Sequence, residues 1–309
     1  MVGTGAGVIF ALFLSHTNNP FGNATMTLKI GTIIGMHEGN YKNLFEKLVK
    51  FGLNTCQVCN WNAKFYDDDF DGKVACIKQQ MKDLQVAPSA VWAGYSGLVC
   101  WNFTEGPVTM GLVPEDHRQH RVLELKRGAD FAAAIGVRAI ITHCGFLPEN
   151  LTDANFDIIR CAIYDVAAYC KHLGIGFWFE TGQETPVALL RMIQAIEAMG
   201  LDNLGINLDP ANLLLYGKGN PIDALNVFGK YVHNIHVKDG FVPTDGKHLG
   251  LEAQVGQGMV NYPRFVKRLL EIGFHEEFII EREIPEGEQQ SADIRETMHN
   301  LKVWAGEEG

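Results

Sequence analysis

Four short segments carry side chains that bind divalent cations and move protons: W-F-E-T-G with Glu180, N-L-D-P-A-N with Asp209, H-V-K-D-G with His236 and F-I-I-E-R-E with Glu281. Each side chain stands at the C-terminal end of an apolar run, and the four runs are consecutive. Three carboxylates and one imidazole suit a single divalent ion, Mn²⁺, Mg²⁺ or Co²⁺, with Zn²⁺ also compatible. Taken singly, each residue has an ordinary structural role. A carboxylate closing a strand caps the helix that follows, and a lone histidine packs into a core. Together they resist that reading, because three carboxylates buried side by side without a cation cost several kcal/mol in repulsion and desolvation.

Other residues cluster around the same chain positions. His143, in T-H-C-G, ends a further apolar run and suits a hydrogen bond to a substrate hydroxyl or to a carboxylate behind the metal ligands, with a structural histidine the equal alternative. Lys238 lies two residues past His236, so strand alternation points it to the same side, where it suits an anionic or polarised oxygen, with a solvated salt bridge the equal alternative. Trp61, Trp92 and Trp101 stand at or after the second and third runs. Indoles stack on the apolar faces of sugars, which makes them candidate pocket walls, with core packing the equal alternative for Trp92. Glu184 is expected only to cap the helix beginning at Pro186, and Glu283 alternates onto the same face as Glu281. Cys56 and Cys59 form a C-x-x-C pair with no second pair to complete a zinc site. The cysteine total, seven, is odd, so buried thiols in a reducing compartment are expected rather than a disulfide framework.

Such a site needs a scaffold that brings four strand ends together. Apolar runs at 28–35, 55–61, 87–93, 138–145, 175–182, 204–212, 233–239 and 278–283 read as strands, most of them hydrophobic on both faces, as a strand between a core and a helix layer must be. Helical periodicity fills intervals such as 41–51, 118–135, 156–173, 186–199 and 262–272, and glycine follows several of them. Eight βα units with no break in composition predict an α/β fold, a single (β/α)₈ TIM barrel over residues 26–309. The rival doubly wound sheet would want a G-x-G-x-x-G after its first strand, and there is none. Two connections, 94–114 and 240–261, are long and leave from strand C-termini, so both are expected to cover the barrel mouth. Residues 1–25 stand apart as a weakly ordered N-terminal extension; the run VIFALFL at 8–14 lacks the preceding Lys or Arg and the A-x-A site of an export signal.

Composition narrows the functional classes. With 47% apolar and 20% charged residues in 309, the chain is globular rather than disordered. A net charge of −10 repels phosphate backbones, so no nucleic-acid partner is expected. No apolar run reaches the roughly 20 residues of a membrane helix; no membrane partner is expected, and the buried thiols make a cytoplasmic location the expected one. The expected partner is a small-molecule carbohydrate; a homo-oligomer is compatible with all of this.

The segments W-F-E-T-G-Q-E-T, N-L-D-P-A-N, H-V-K-D-G, V-G-Q-G (255–258) and F-I-I-E-R-E, in this order, resemble the xylose isomerase-like barrel superfamily, in particular its sugar isomerase/epimerase branch. The resemblance runs from about Met26 to Trp304. In the ketose 3-epimerases of that branch one divalent ion is held by Glu, Asp, His and Glu, which implies Glu180, Asp209, His236 and Glu281 as ligands here and the two glutamates as the acid–base pair. A metal on a carbonyl and a neighbouring hydroxyl stabilises the enediolate formed when the α-proton leaves. Returning the proton to the opposite face epimerises; returning it to the adjacent carbon interconverts aldose and ketose. The AP-endonuclease branch carries D-x-x-H after the sixth strand, whereas position 212 is Asn here, which argues against DNA repair. Asn212 then joins His143, Lys238, Trp61 and Trp92 as substrate contacts. The expected function is a metal-dependent sugar isomerase or epimerase. A lyase or dehydratase acting on a 3-keto-glycoside or inosose through the same metal site, and a non-catalytic sugar-binding barrel, are the alternatives.

Overall fold

The computed structural model describes residues 27–60 and 63–307. The N-terminal extension and Trp61 lie outside them. The barrel strands, all parallel, are β1 (Lys29–Gly35), β2 (Cys56–Asn60), β3 (Ala90–Ala93), β4 (Ala139–Thr142), β5 (Gly176–Glu180), β6 (Leu204–Leu208), β7 (Val232–Val237) and, after a small antiparallel pair β8 (Asp239–Gly240) and β9 (Glu252–Ala253), β10 (Glu277–Ile280). Each pairs with its neighbours in chain order and β10 closes onto β1 with Thr32 opposite Ile280, giving the expected eight-stranded (β/α)₈ barrel. The helices are α1 (Glu46–Phe51), α2 (Phe70–Leu84), α3 (Gly106–Thr109), α4 (Glu115–Ile135), α5 (Ala154–His172), α6 (Pro186–Glu197), α7 (Pro210–Leu215), α8 (Pro221–Phe228), α9 (Tyr262–Glu271) and α10 (Glu288–Ala305).

Local sequence explains most boundaries. Asp153, Thr185 and Asn220 cap α5, α6 and α8 by accepting from backbone N–H groups one turn in. Gly136 ends α4 in the left-handed region, where its N–H reaches Ala132 and Ala133 carbonyls. Two expectations need correction. The helix read at 41–51 is a 3₁₀ turn over Tyr41–Asn43 followed by the short α1. Glu184 is not the cap of α6, since the Thr185 hydroxyl accepts from Ala188 N at 3.2 Å.

The main core lies between strands and helices. A second cluster, Ala90, Trp92, Ala139, Ile141 and Trp178, fills the barrel interior. At its lower end Trp178 stacks on His233 with ring centroids 5.3 Å apart, and Arg138 lies over the indole at 5.1 Å. A Cβ at Gly205 would come within 2.5 Å of both rings, so only glycine leaves them room. The β6–β7 ladder slips here: Ile206 pairs with Val232 and Asn207 with Asn234, leaving His233 as the extra residue of a bulge.

The two long connections are held by opposite devices. Segment 94–114 is pinned by Arg121, whose fully buried guanidinium donates to the carbonyls of Ser96, Leu98, Thr109 and Gly111 at 3.2, 3.2, 2.8 and 2.7 Å. Segment 240–261 is gathered by the Asp239 carboxylate, which accepts from the N–H groups of Gly240, Gly256, Gly258 and Val260 at 2.8 to 3.1 Å. A Cβ on Gly258 would sit 2.2 Å from that carboxylate, which accounts for the second glycine of V-G-Q-G. The segments touch where Phe103 N donates to Lys247 O at 3.3 Å, and each lends a side chain, Trp101 and Leu249, to the wall of the mouth cavity.

Candidate metal centre

Glu180 closes β5, Asp209 follows β6, His236 lies in β7 and Glu281 follows β10. One ligand atom from each falls within 4.8 Å of all the others, a spacing that one coordinated ion spans. Glu180, Asp209 and His236 are buried and the Glu281 side chain is 15% exposed.

The hydrogen bonds around the cluster leave particular atoms unanswered. His236 Nε2 lies 2.7 Å from Gln57 Oε1. The Gln57 amide is oriented by donation from its Nε2 to Asn207 Oδ1 at 3.4 Å, an oxygen that also accepts from Asn234 Nδ2 at 2.6 Å. An acceptor oxygen against Nε2 assigns the proton to that nitrogen. Nδ1 then faces Glu180 Oε1 at 2.9 Å and Glu281 Oε2 at 3.0 Å. Among the described residues His236 Nδ1, Asp209 Oδ2 and Glu281 Oε2 have no hydrogen-bond partner. Lone pairs converging in this way call for a positive charge between them, supplied by a second imidazole proton or by a cation. Burial opposes a charged imidazole, but Glu180 and Glu281 together hold the His236 pKa well above its usual value. A hard or borderline divalent ion satisfies the same atoms with three oxygens and one nitrogen, so the residues present fit a metal.

The remaining atoms of the ligands are occupied by the scaffold. Asp209 Oδ1 accepts from Asn212 N at 2.9 Å and caps α7, so capping and ligation use different oxygens of one carboxylate. Glu180 Oε2 accepts the indole N–H of Trp92. Burial pushes the Asp209 carboxyl well up. Burial also acts against ionised Glu180, but His143 and His236 bring it below the ordinary range. For Glu281 burial is outweighed by Lys238 and His236, and its pKa is lowered.

The cluster opens into a cavity of about 530 Å³ lined by His143, Lys238, Trp92, Trp101 and Asn212. His143 Nε2 is 3.6 Å from Glu180 Oε1, and its ring sits edge-on to Trp92 and Trp101 at 6.1 and 5.2 Å. Burial lowers its pKa, against the pull of Glu180 and Glu281. Lys238 Nζ lies 2.5 Å from Glu283, 3.7 Å from Glu281 and 3.8 Å from Asp209. Burial disfavours its charge, but these carboxylates hold the pKa well above that of a free lysine. Asn212 is held by donation from Nδ2 to Thr181 O at 3.2 Å. Glu184, beside this wall, is buried, and burial raises its carboxyl to about 8.

Sequence reasoning passed over Gln57, Asn207 and Asn234, which orient His236 from beneath, and Tyr262, whose hydroxyl exchanges hydrogen bonds of 2.9 and 2.8 Å with the Lys238 backbone. Their signal was available: a polar residue inside a strand that is apolar on both faces must find a buried partner.

The sequence pattern of the xylose isomerase-like TIM barrel family matches residues 45–303. No curated protein matches the chain. Among solved structures, a xylose isomerase domain protein from Planctomyces limnophilus is 29% identical, with a TM-score of 0.80 over 91% of this chain and 98% of that one. A D-tagatose 3-epimerase-like protein is 18% identical, with a TM-score of 0.65 over 91% of this chain and 99% of its own. A xylose isomerase-like TIM barrel protein from Mycobacterium smegmatis, solved in complex with magnesium, is 16% identical, with a TM-score of 0.63 over 88% of this chain and 90% of its own. The last two likenesses concern the fold.

Proposed function

This chain belongs to the xylose isomerase-like TIM barrel family, and from that premise we propose that it is a divalent-metal-dependent sugar isomerase or epimerase acting on a sugar or keto-sugar. The observation that carries the reading is the convergence of Glu180, Asp209, His236 and Glu281 with three unpartnered ligand atoms at the barrel mouth. Manganese, magnesium or cobalt suits this donor set and would be held by Glu180, Asp209, His236 and Glu281, where it would supply Lewis acidity to a substrate oxygen.

The chain's own residues do the rest. Glu180 and Glu281 come from strands separated by β6 and β7, so they flank the cavity from two sides. Both stay ionised at neutral pH and can accept a proton from the α-carbon. One removes it and the other delivers one to the far face, or to the neighbouring carbon. The Trp92 indole fixes Glu180 so that its Oε1 is left for the cluster. Lys238, held cationic, stabilises negative charge on a substrate oxygen. His143 hydrogen-bonds a hydroxyl, Asn212 borders the same space, and Trp92 and Trp101 supply flat apolar surface for a ring.

The test is incubation of the metal-loaded protein with a panel of ketoses and keto-sugars in D₂O, read by NMR. Deuterium entering at one α-carbon, with a new epimer or isomer, is the expected result. Deuterium-free recovery of every substrate, with metal demonstrably bound, would remove the reading.

A further inference from the structure

We propose that Tyr216, with Gln183 beside it, is a specificity-determining pair at the mouth: the Tyr216 hydroxyl bonds a substrate hydroxyl remote from the reacting carbon, and Gln183 aims it. The inference rests on the reading above and adds residues that choose among sugars.

Unmet polar atoms are the first argument. Tyr216 is 4% exposed, Gln183 1% and His143 4%. Among the described residues the Tyr216 hydroxyl, both polar atoms of the Gln183 amide and His143 Nδ1 have no hydrogen-bond partner. Buried groups of this kind are ordinarily paired, so several of them in one place call for a polar partner from outside the chain. They meet around Gly182. A Cβ there would lie 3.4 Å from Tyr216 Cε2, 3.5 Å from Asn212 Cβ and 3.5 Å from His143 Cε1, and Gln183 is the next residue. Three strand ends contribute: His143 follows β4, Gly182 and Gln183 follow β5, and Tyr216 ends α7 after β6. Tyr216, His143 and Asn212 border the cavity of the metal cluster.

The packing of the phenol is the second argument. Phe103 and Phe146 meet the Tyr216 ring edge-on, with centroids 6.2 and 5.8 Å away. Leu215 O accepts from Gly250 N at 2.9 Å, and a Cβ on Gly217 would be 3.5 Å from Pro243 Cγ. Phe103 belongs to segment 94–114, Pro243 and Gly250 to segment 240–261, so both long connections brace this residue. Burial pushes the phenol pKa up, against the Gln183 amide and the charge of Lys238, so the hydroxyl stays neutral and can both donate and accept. A sugar hydroxyl answers such a group, whereas a phosphate or carboxylate is matched by a fixed cation.

The experiment uses the magnesium-loaded full chain and the sugar of the D₂O panel that exchanges fastest, with its monodeoxy analogues, each lacking one hydroxyl remote from the exchanging carbon. One analogue should fall at least about tenfold in kcat/KM, equivalent to ~1.4 kcal/mol. Tyr216→Phe, which removes only the oxygen, should lower kcat/KM for the intact sugar by a similar factor, more through KM than through kcat, and cut discrimination against that analogue to below about threefold. Gln183→Leu should weaken the same discrimination and add nothing in the Tyr216→Phe background, as expected of a residue that acts through another. A merely structural glutamine would lower the melting temperature and leave the ratio alone. Gln183→Leu also carries the test by itself if the phenylalanine variant does not fold. Equal activity on the intact sugar and every analogue, or unaltered discrimination in the variants, overturns the pair and leaves the isomerase or epimerase reading standing. Absence of exchange with every sugar overturns the two together.

Discussion

Strand β7 carries two histidines three residues apart, and they live in opposite surroundings. His236, at the mouth, has Glu180 and Glu281 against Nδ1 and Gln57 against Nε2, and its pKa is driven well up against the effect of burial. His233, at the lower end, lies flat on Trp178 beside Arg138, and burial followed by the guanidinium charge pushes its pKa down. The lower end is filled by rings, and its cation is satisfied, with Arg138 Nη1 2.7 Å from Glu276. The upper end converges three ligand atoms that have no hydrogen-bond partner among the described residues. One end is built to be full and the other to be completed, as barrel enzymes divide stability from chemistry between their two faces.

The difference can be broken most severely at the mouth. Glu180→Gln and Glu281→Gln each keep the shape of the side chain but cannot accept a proton. Each should lower α-proton exchange by about 10²–10⁴-fold while the melting temperature stays near that of the parent. Normal exchange in both, with metal still bound, would shift the search for the base to Lys238 and His143. The converse experiment is Trp178→Ala. Loss of a buried indole costs about 3–5 kcal/mol of stability, and the surviving folded fraction should exchange protons at the parental rate per active site.

Smaller changes sharpen the contrast. Gln57→Leu removes the acceptor that orients His236 without touching any ligand, and should weaken metal affinity by about 10–100-fold, measured by competition with a chelating dye; excess ion should restore activity. The least effect is expected from His233→Asn. A histidine with a depressed folded pKa contributes stability that is complete above the unfolded value of about 6.5 and is lost as pH falls through the folded one. Melting curves between pH 8 and pH 5 should therefore decline on the acid side for the parent and decline less for the variant. An identical acid slope would show that the lower histidine does not titrate across folding.

Much of this was legible from residue order. The strand cores around Val58, Ile141 and Ile206 are apolar on both faces because each strand is sandwiched, so eight βα units could be counted without a structure. Glu180, Asp209, His236 and Glu281 were conspicuous because charged groups at the ends of such strands are costly unless they share a purpose. Glu184 was misread because sequence position alone cannot tell a capping carboxylate from a buried one; the neighbouring threonine takes the cap.

The sequence by itself determined the residue types, their periodicity and hence the barrel, since alternation and helical spacing are properties of a local chain. Tertiary structure alone decided which of them meet. The bulge that leaves His233 unpaired in the ladder lets β7 send that histidine down onto Trp178 while Asn234, His236 and Lys238 face the interior and the mouth. Strict alternation from 233 to 239 could not yield that arrangement. Likewise Gln57 reaches His236 across 179 residues, and Arg121 and Asp239 fold two connections over the mouth by collecting backbone groups far from them in sequence. The contact between Gln57 and His236 follows from barrel closure, which brings distant strands within hydrogen-bond range, and no local pattern encodes it.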